Sequence, residues 1–130
     1  MITDRVGDFI TRLKNAAQVG KREISVPHSA HLLAIAKKLK ELGYLEKVEV
    51  EGEVKKVLKI TLAMDESGDA VIKGVKRISK PGRRLYLAHD EANSVKGGMG
   101  SRIISTPAGI VTDREARKVK AGGENMFEIW

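Results

Sequence analysis

Hydroxyl groups, glycines and a basic stretch follow one another in STPAGIVTDREARKVKAGGE, residues 105–124. Ser105 and Thr106 begin a turn of small residues, and their hydroxyls can both donate and accept hydrogen bonds. A plain hairpin turn and a binding turn are both compatible with residues 105–109. Gly122 and Gly123 likewise fit either the end of a helix or a place where another backbone comes close.

The four residues from Thr112 to Glu115 match the capping box that begins many helices. Asp113 and Glu115 would be the alternative, a catalytic carboxylate pair, but residues two apart on a helix do not face each other. The sequence therefore predicts a helix cap. Such a cap fixes the direction of the basic side chains that follow, which are Arg114, Arg117 and Lys118.

The chain carries a formal net charge of +7, which favours a polyanionic partner. The stretch from Ala70 to His89 has no acidic residue, and its cations are Lys73, Lys76, Arg77, Lys80, Arg83 and Arg84. Solvated strand edges would explain some of these lysines. Phosphate neutralisation explains the missing acids better, and it requires cations that have no acidic partners. A membrane surface is disfavoured because the helix after Ser29 lacks bulky aromatic anchors.

The few aromatic residues narrow the kind of nucleic acid. Phe9 and Phe127 lie in apolar patterns and are predicted to be core residues. Among all five aromatic residues, only Tyr86, beside Arg83 and Arg84, is a plausible candidate for base stacking. There is no zinc-finger pattern and no convincing recognition helix for DNA. The composition favours folded RNA that is recognised by shape, sugar hydroxyls and phosphates.

Enzymatic interpretations are poorly supported. The segment KGGMGSR lacks the spacing and the final Lys-Ser/Thr of a phosphate-binding loop, and Gly98-Met99-Gly100 lacks the third glycine of a dinucleotide fingerprint. A nucleotide-dependent enzyme built on this loop is the alternative from a different functional class. The chain has no cysteine, so disulfides and thiolate metal sites are excluded. No metal, cofactor or small-molecule substrate is predicted, and the first residues do not resemble a secretory signal.

Periodicity and turn signals predict an α+β fold of two small lobes, at residues 1–64 and 70–130, separated by the acidic turn Met64–Asp69. The N-terminal lobe is predicted to be α-β-α-β-β: a helix capped by Thr3 and ended by Gly20, a strand over Glu23–Val26 ended by Pro27, a helix from Ser29 to Gly43, and strands over Tyr44–Val50 and Val54–Ala63. The C-terminal lobe is predicted to be mostly β with one short capped helix, and its strands are Val71–Ile78, Leu85–Ala88, Ser101–Ser105, Ile110–Val111 and Met126–Trp130. Pro81-Gly82 has the residue types of a type II turn.

Three segments carry a resemblance to a known family. The C-terminal run GMGSRIISTPAGIVTDREARKVKAGGENMFEIW, together with VGDFITRLKNA near the start and VKRISKPGRRLY in the middle, resembles the bacterial-type family of ribosomal small-subunit protein eight. The segments occur in the family's order, and the resemblance covers essentially the whole chain. It implies a two-lobe α+β fold and a structural, non-catalytic constituent of the small ribosomal subunit in the cytoplasm.

The resemblance also implies the partners and the contact residues. Family members bind the central domain of small-subunit ribosomal RNA directly, support subunit assembly, lie near ribosomal protein five, and in some bacteria repress the messenger of their own operon. The predicted RNA-binding residues combine those that the resemblance implies with cations of the basic stretch and of the capped helix. They are Ser105, Thr106, Gly109, Tyr86, Lys80, Arg83, Arg84, Arg114, Arg117, Lys118, Gly122, Gly123, Glu124, Thr3, Asp4, Arg12, Asn15 and Ser29.

Two segments depart from the family pattern. The turn usually contains Ser-Thr-Ser-Lys-Gly, whereas this chain has Pro107 and Ala108 in place of the last serine and the lysine. Ala30 and Leu32 stand where lysines are common after Ser29. We therefore expect a stiffer turn with one hydroxyl and one cation fewer. We also expect the first lobe to bind RNA more weakly than in other family members.

Overall fold

The computed structural model describes residues 4–130. The first helix, α1, spans Arg5–Val19, and Asp4 caps it by accepting a 3.0 Å hydrogen bond from the Gly7 amide. The predicted cap, Thr3, lies outside the described residues. Phe9 and Leu13 have no exposed surface, as the helical spacing of the apolar residues predicts. Gly20 ends the helix in the left-handed conformation, with φ of 76°.

The second helix and a three-stranded antiparallel sheet complete the first half. Its elements are β1 (Glu23–Pro27), α2 (Ala30–Glu41), β2 (Leu45–Glu51) and β3 (Val57–Leu62), with strand order β1-β3-β2. Ser29 caps α2, as predicted, by accepting from the Leu32 amide at 3.1 Å. The predicted start of the third strand at Val54 was wrong: Val54 is 95% exposed in the connecting loop, and pairing begins at Val57.

Strand β1 forms one edge of this sheet, and two features reduce its capacity to pair further. Pro27, its last residue, has no amide hydrogen to donate. The Arg12 guanidinium donates to the Ser25 carbonyl oxygen at 2.6 Å and also contacts the Asp8 carboxylate at 3.1 Å. The outward backbone of β1 is therefore partly occupied.

The second half contains a five-stranded sheet and one short helix. Its elements are β4 (Val75–Arg77), β5 (Tyr86–Leu87), β6 (Ser101–Thr106), β7 (Gly109–Thr112), α3 (Asp113–Val119) and β8 (Gly123–Ile129). The strand order is β4-β8-β6-β7, and β5 also pairs with β8, at residues that β4 does not use. Ile104 packs with Ala92 and Ala116 in a small buried cluster, so α3 is anchored on the strands that precede it.

Two predicted features of this half were wrong. The strand predicted over Val71–Ile78 is only Val75–Arg77, because Val71 donates instead to the Ala63 carbonyl at 2.9 Å, back in the first half. The Pro81-Gly82 turn is closed by mutual backbone bonds of 3.0 Å between Lys80 and Arg83. Gly82 does not adopt the positive φ that a type II turn requires.

The chain divides into two compact units, Met1–Lys73 and Gly74–Trp130. The acidic turn at Met64–Asp69 belongs to the first unit, a few residues before the division. Asp65 organises that turn: one carboxylate oxygen accepts from the Ser67 and Asp69 amides at 2.9 and 3.0 Å. The other accepts from the Lys73 ammonium at 3.1 Å. These bonds lower the pKa of Asp65 below its usual value, with the hydrogen bond from Lys73 as the largest cause.

Candidate nucleic-acid interface

Three of the predicted contact residues form a row across the second sheet. Glu124 on β8 is paired directly with Tyr86 on β5 and with Ser105 on β6. Directly paired residues of antiparallel strands project from the same face of a sheet, so the three side chains share one face. Tyr86 is 70% exposed. Three strands thus supply an aromatic ring, a carboxylate and a hydroxyl in one line, although Tyr86 and Glu124 are far apart in the sequence. We call this line the Tyr86–Ser105 row.

A two-residue turn, Pro107-Ala108, joins β6 to β7 beside this row. The Thr106 hydroxyl closes the turn by donating to the Gly109 carbonyl at 2.8 Å and accepting from the Ala108 amide at 3.2 Å. Gly109 has φ of 131°, a conformation that favours glycine. Among residues 4–130 the Ser105 hydroxyl has no partner. The hairpin interpretation is therefore right for the backbone, and it leaves the Ser105 hydroxyl available for an outside contact.

Glu124 is the centre of a polar network. Its Oε2 accepts from the Ser79 hydroxyl at 2.5 Å and from Arg84 Nη1 at 3.0 Å. Ser79 in turn accepts from the Leu85 amide at 3.2 Å, directly before Tyr86. Only 4% of Ser79 is exposed. Ser79 was not among the predicted site residues, because nothing in its spacing distinguishes it from the other polar residues of a basic segment.

The expectation that the cations of residues 70–89 have no acidic partners was wrong for two of them. Lys73 pairs with Asp65 in the first unit, and Arg84 pairs with Glu124. The acids come from elsewhere in the chain, so a run without acids does not by itself leave its cations unpaired. Five exposed cations of the second unit do have side chains without hydrogen bonds, ion pairs or aromatic contacts within the described part of the chain; they are Lys76, Lys80, Arg83, Lys118 and Lys120.

The two predicted arginines of α3 are engaged inside the second unit. Arg114 donates to the Gly98 carbonyl, and Arg117 donates to the Ala92 carbonyl. Arg117 also pairs with Asp113 at 3.1 Å. The capping box is confirmed: Thr112 accepts from the Glu115 amide at 3.2 Å and its own amide donates to Glu115 Oε1 at 3.1 Å. These two arginines therefore hold the segment between β5 and β6, and they have fewer N–H donors left for an outside ligand.

Asp113 has a structural role that sequence analysis did not assign. It is 1% exposed and accepts from the Arg102 amide at 3.1 Å as well as from Arg117. The first bond ties the start of α3 to β6. The spacing of Asp113 and Arg117, four residues apart on a helix, was the available signal for such a pair.

Gly122 and Gly123 follow a helix that has already ended, so neither is its stop. Lys120 ends α3 in the left-handed conformation, with φ of 57°. A Cβ on Gly122 would lie 2.7 Å from the Leu87 carbonyl oxygen, and one on Gly123 would overlap the Ser105 carbonyl oxygen. The close approach that these glycines allow is thus between strands of the protein. Contact with RNA at the same glycines stays a prediction.

The remaining predicted residues lie in the first unit, and two of them are helix caps. Asp4 and Ser29 use a side-chain oxygen to accept from the first turns of α1 and α2. Arg12 and Asn15 line a depression of about 350 Å³ beside β1, together with Lys21 and Ser25. Among residues 4–130, none of those that line this depression is acidic. The apolar residues Ala16, Val19 and Ile24 line it as well, and Arg12 already uses part of its guanidinium to contact Asp8 and Ser25.

Two features of other protein classes are absent from residues 4–130. Between residues 4 and 130, no group of three or more His, Cys, Asp or Glu side chains is placed to hold a metal ion. No helix within the same range is long and apolar enough to cross a membrane.

Comparison with known proteins identifies the family. The sequence profile described as ribosomal protein S8 matches residues 4–130. The chain belongs to the ribosomal protein S8 family. The small ribosomal subunit protein uS8 of Halothermothrix orenii is 42% identical over 99% of this chain and 98% of its own length. The uS8 proteins of Thermodesulfovibrio yellowstonii and Sorangium cellulosum are 40% and 42% identical, and both comparisons cover 100% of each chain.

Membership of the ribosomal protein S8 family decides several predictions made from the sequence. The family resemblance and the α+β class are confirmed, with helices mostly in the first half and strands mostly in the second. The family is a structural component of the small ribosomal subunit and not an enzyme. The nucleotide-dependent enzyme is therefore set aside.

Proposed function

We propose that this chain binds the central domain of small-subunit ribosomal RNA directly and supports assembly of the subunit. It acts on the ribosome in the cytoplasm, with ribosomal protein five as a neighbour. The observation that carries the proposal is the Tyr86–Ser105 row, because it places three kinds of contact on one exposed sheet face. Tyr86 supplies a ring for stacking, Ser105 a free hydroxyl, and Glu124 an acceptor for base amino groups or sugar hydroxyls.

The free cations of the second unit support the same proposal. Lys80 and Arg83 flank the turn that precedes β5, and Lys118 lies in the last turn of α3. Unpaired surface cations neutralise phosphates and release counterions, which gives affinity without sequence preference. The row would then provide selectivity, since contacts to bases and sugars discriminate where phosphate contacts do not.

The row contains a carboxylate, which argues against a surface that binds phosphates indiscriminately. An ionised Glu124 repels a phosphate group but accepts hydrogen bonds from a base amino group or a 2′-hydroxyl. Such a carboxylate fits a folded RNA whose bases or sugar edges are exposed at an irregular helix. A regular duplex offers the row fewer donors, because its base edges are mostly paired.

Chemical footprinting on total small-subunit RNA tests this function. The expected result is a single protected region within the central domain, which disappears when Tyr86 and Ser105 are both replaced by alanine. A Ser94→Ala variant is the matched control, since Ser94 is an exposed serine of the same unit outside the row. Protection scattered over the RNA without a central-domain region would overturn the proposal.

We further propose that the same surface represses translation of the messenger that encodes this chain. A messenger that presents a similar irregular helix would offer the row the same donors, so one site would serve both RNAs. Competition between labelled ribosomal RNA and leader RNAs of the operon tests this. Leader RNA that fails to displace the ribosomal fragment at any concentration would exclude repression through this surface.

A further inference from the structure

Ser79 is a buried serine beside the Tyr86–Ser105 row, and it carries an inference that rests on the RNA-binding function proposed above. We propose that Ser79 is a positioning residue of the RNA-binding surface. It holds the Glu124 carboxylate in one orientation through Oε2, so that Oε1 stays available to an RNA donor.

Every polar group of Ser79 is engaged within the second unit. Its amide donates to the Asn125 carbonyl at 3.1 Å, and its carbonyl accepts from Arg77 Nε at 2.8 Å. Its hydroxyl donates to Glu124 Oε2 and accepts from the Leu85 amide. The backbone bonds fix the position of Ser79 against β8. The hydroxyl bonds then hold the Glu124 carboxylate and the Leu85 backbone in place.

The two bonds of the hydroxyl act on different parts of the row. The bond to Leu85 fixes the backbone directly before Tyr86 and so sets where the ring begins. The 2.5 Å bond to Glu124, joined by the 3.0 Å bond from Arg84, occupies Oε2. Oε1 has no partner within residues 4–130. The Glu124 side chain is 20% exposed, so this second oxygen is the acceptor that remains for an RNA donor.

A purely structural serine and a positioning serine predict different measurements. If Ser79 only stabilises the fold, its loss lowers the fraction of folded protein while the folded fraction binds RNA with unchanged affinity. If Ser79 positions Glu124, its loss weakens the affinity of the folded fraction, because an unrestrained carboxylate samples several rotamers. The loss then depends on the presence of Glu124.

The test is a double-mutant cycle of Ser79→Ala and Glu124→Ala, with equilibrium dissociation constants measured for two RNAs. One is the central-domain fragment of small-subunit RNA, and the other is a regular duplex of equal length. Titration at stoichiometric concentration gives the active fraction and separates folding from affinity. Ser101→Ala is the matched control, since Ser101 is a buried serine of the same sheet, 6% exposed, on β6.

We expect Ser79→Ala to weaken binding of the central-domain fragment about tenfold, on the scale of a hydrogen bond to a charged group. Binding of the regular duplex stays unchanged. The double variant binds no more weakly than Glu124→Ala alone, because the two residues act as one unit. Ser101→Ala binds as the unaltered protein does.

A second variant keeps the test decisive if Ser79→Ala does not fold. Arg84→Met removes the other bond to the same Oε2 from a side chain that is 51% exposed. The loss of affinity for the central-domain fragment that Arg84→Met causes is expected to be smaller when Glu124 is already alanine. Unchanged affinity of Ser79→Ala for the fragment, or effects that multiply in the double variants, would overturn the positioning role alone. If the unaltered protein does not prefer the fragment to the duplex, the proposed function fails as well.

Discussion

Gly123 on β8 lies so close to Ser105 on β6 that the Ser105 carbonyl oxygen occupies the space a Cβ at position 123 would need. This relationship sets the spacing between the Glu124 and Ser105 backbones, and hence the spacing within the row.

Replacement of Gly123 by alanine is therefore expected to destabilise the second unit. A methyl group forced against a backbone oxygen costs about 1–3 kcal/mol, the range for overpacked sites. Urea unfolding followed by circular dichroism measures the loss. Gly82→Ala is the control, because nothing lies within 4 Å of a Cβ there. Equal stability of the two variants would contradict the close packing of β8 on β6.

Ser105 and Thr106 are expected to respond differently to alanine, although they are neighbours at the end of β6. Ser105→Ala should weaken RNA binding by about 1–3 kcal/mol with little effect on unfolding, because its hydroxyl has no partner in the described protein. Thr106→Ala should instead destabilise the hairpin by about 1 kcal/mol, because its hydroxyl closes the turn. Filter binding and thermal unfolding on both variants separate the two effects. If the Ser105→Ala protein binds RNA normally, the turn has only a structural role.

Arg83 and Arg84 should also differ, although the sequence gives no reason to separate them. Arg84 is paired with Glu124, whereas the side chain of Arg83 has no partner in the part of the chain that the structure describes. Arg83→Ala is expected to reduce the slope of log affinity against log salt by about 1, the effect of one lost phosphate contact. Arg84→Ala should change the slope less and act through the released carboxylate. The measurement is a salt series for each variant, and a larger slope change for Arg84 would contradict the pairing.

The capping box of α3 should contribute to stability by an amount that can be measured. Thr112→Ala removes the acceptor for the Glu115 amide and is expected to cost about 0.5–2 kcal/mol. Hydrogen exchange of the α3 amides should rise in the same variant. Glu115→Gln is the control, since a glutamine oxygen can still accept from the Thr112 amide. If both variants exchange alike, the cap does not depend on the threonine hydroxyl.

Asp65 gives a prediction about pH. Its lowered pKa means that the folded state favours the carboxylate, so its contribution to stability is complete above the ordinary aspartate pKa. That contribution is lost as pH falls through the lowered value. Lys73→Met should raise the pKa of Asp65 in a carbon-detected NMR titration, because it removes the largest cause of the shift. Lys76→Met is the control, and an equal response to both substitutions would exclude the Lys73 bond as the cause.

The elements with strong local signals were predicted from the sequence. The apolar spacing of α1 correctly predicted that Phe9 is buried, and the capping box of α3 was predicted at the correct residues. Local patterns failed where distant segments decide the outcome. Val71 was assigned to a strand of the second half, but its amide bonds to Ala63 in the first.

The candidate site shows the same limit. The types of its residues could be chosen from the sequence and from the family resemblance, but their arrangement could not. Tyr86, Glu124 and Ser105 meet through the register of three strands, which no local pattern specifies. Ser79 was missed for this reason, since its partner Glu124 is 45 residues away. Arg84 was taken as a free cation because its acidic partner lies outside the run that drew attention to it.

The edge of the first sheet has a consequence for contacts between copies of this chain. Pro27 and the Arg12–Ser25 bond leave β1 few free groups for pairing with the strand of another molecule. A newly synthesised copy is thereby protected from edge-to-edge aggregation on that side. Arg12, which the family resemblance assigns to RNA, thus also occupies an outward carbonyl oxygen of this sheet edge.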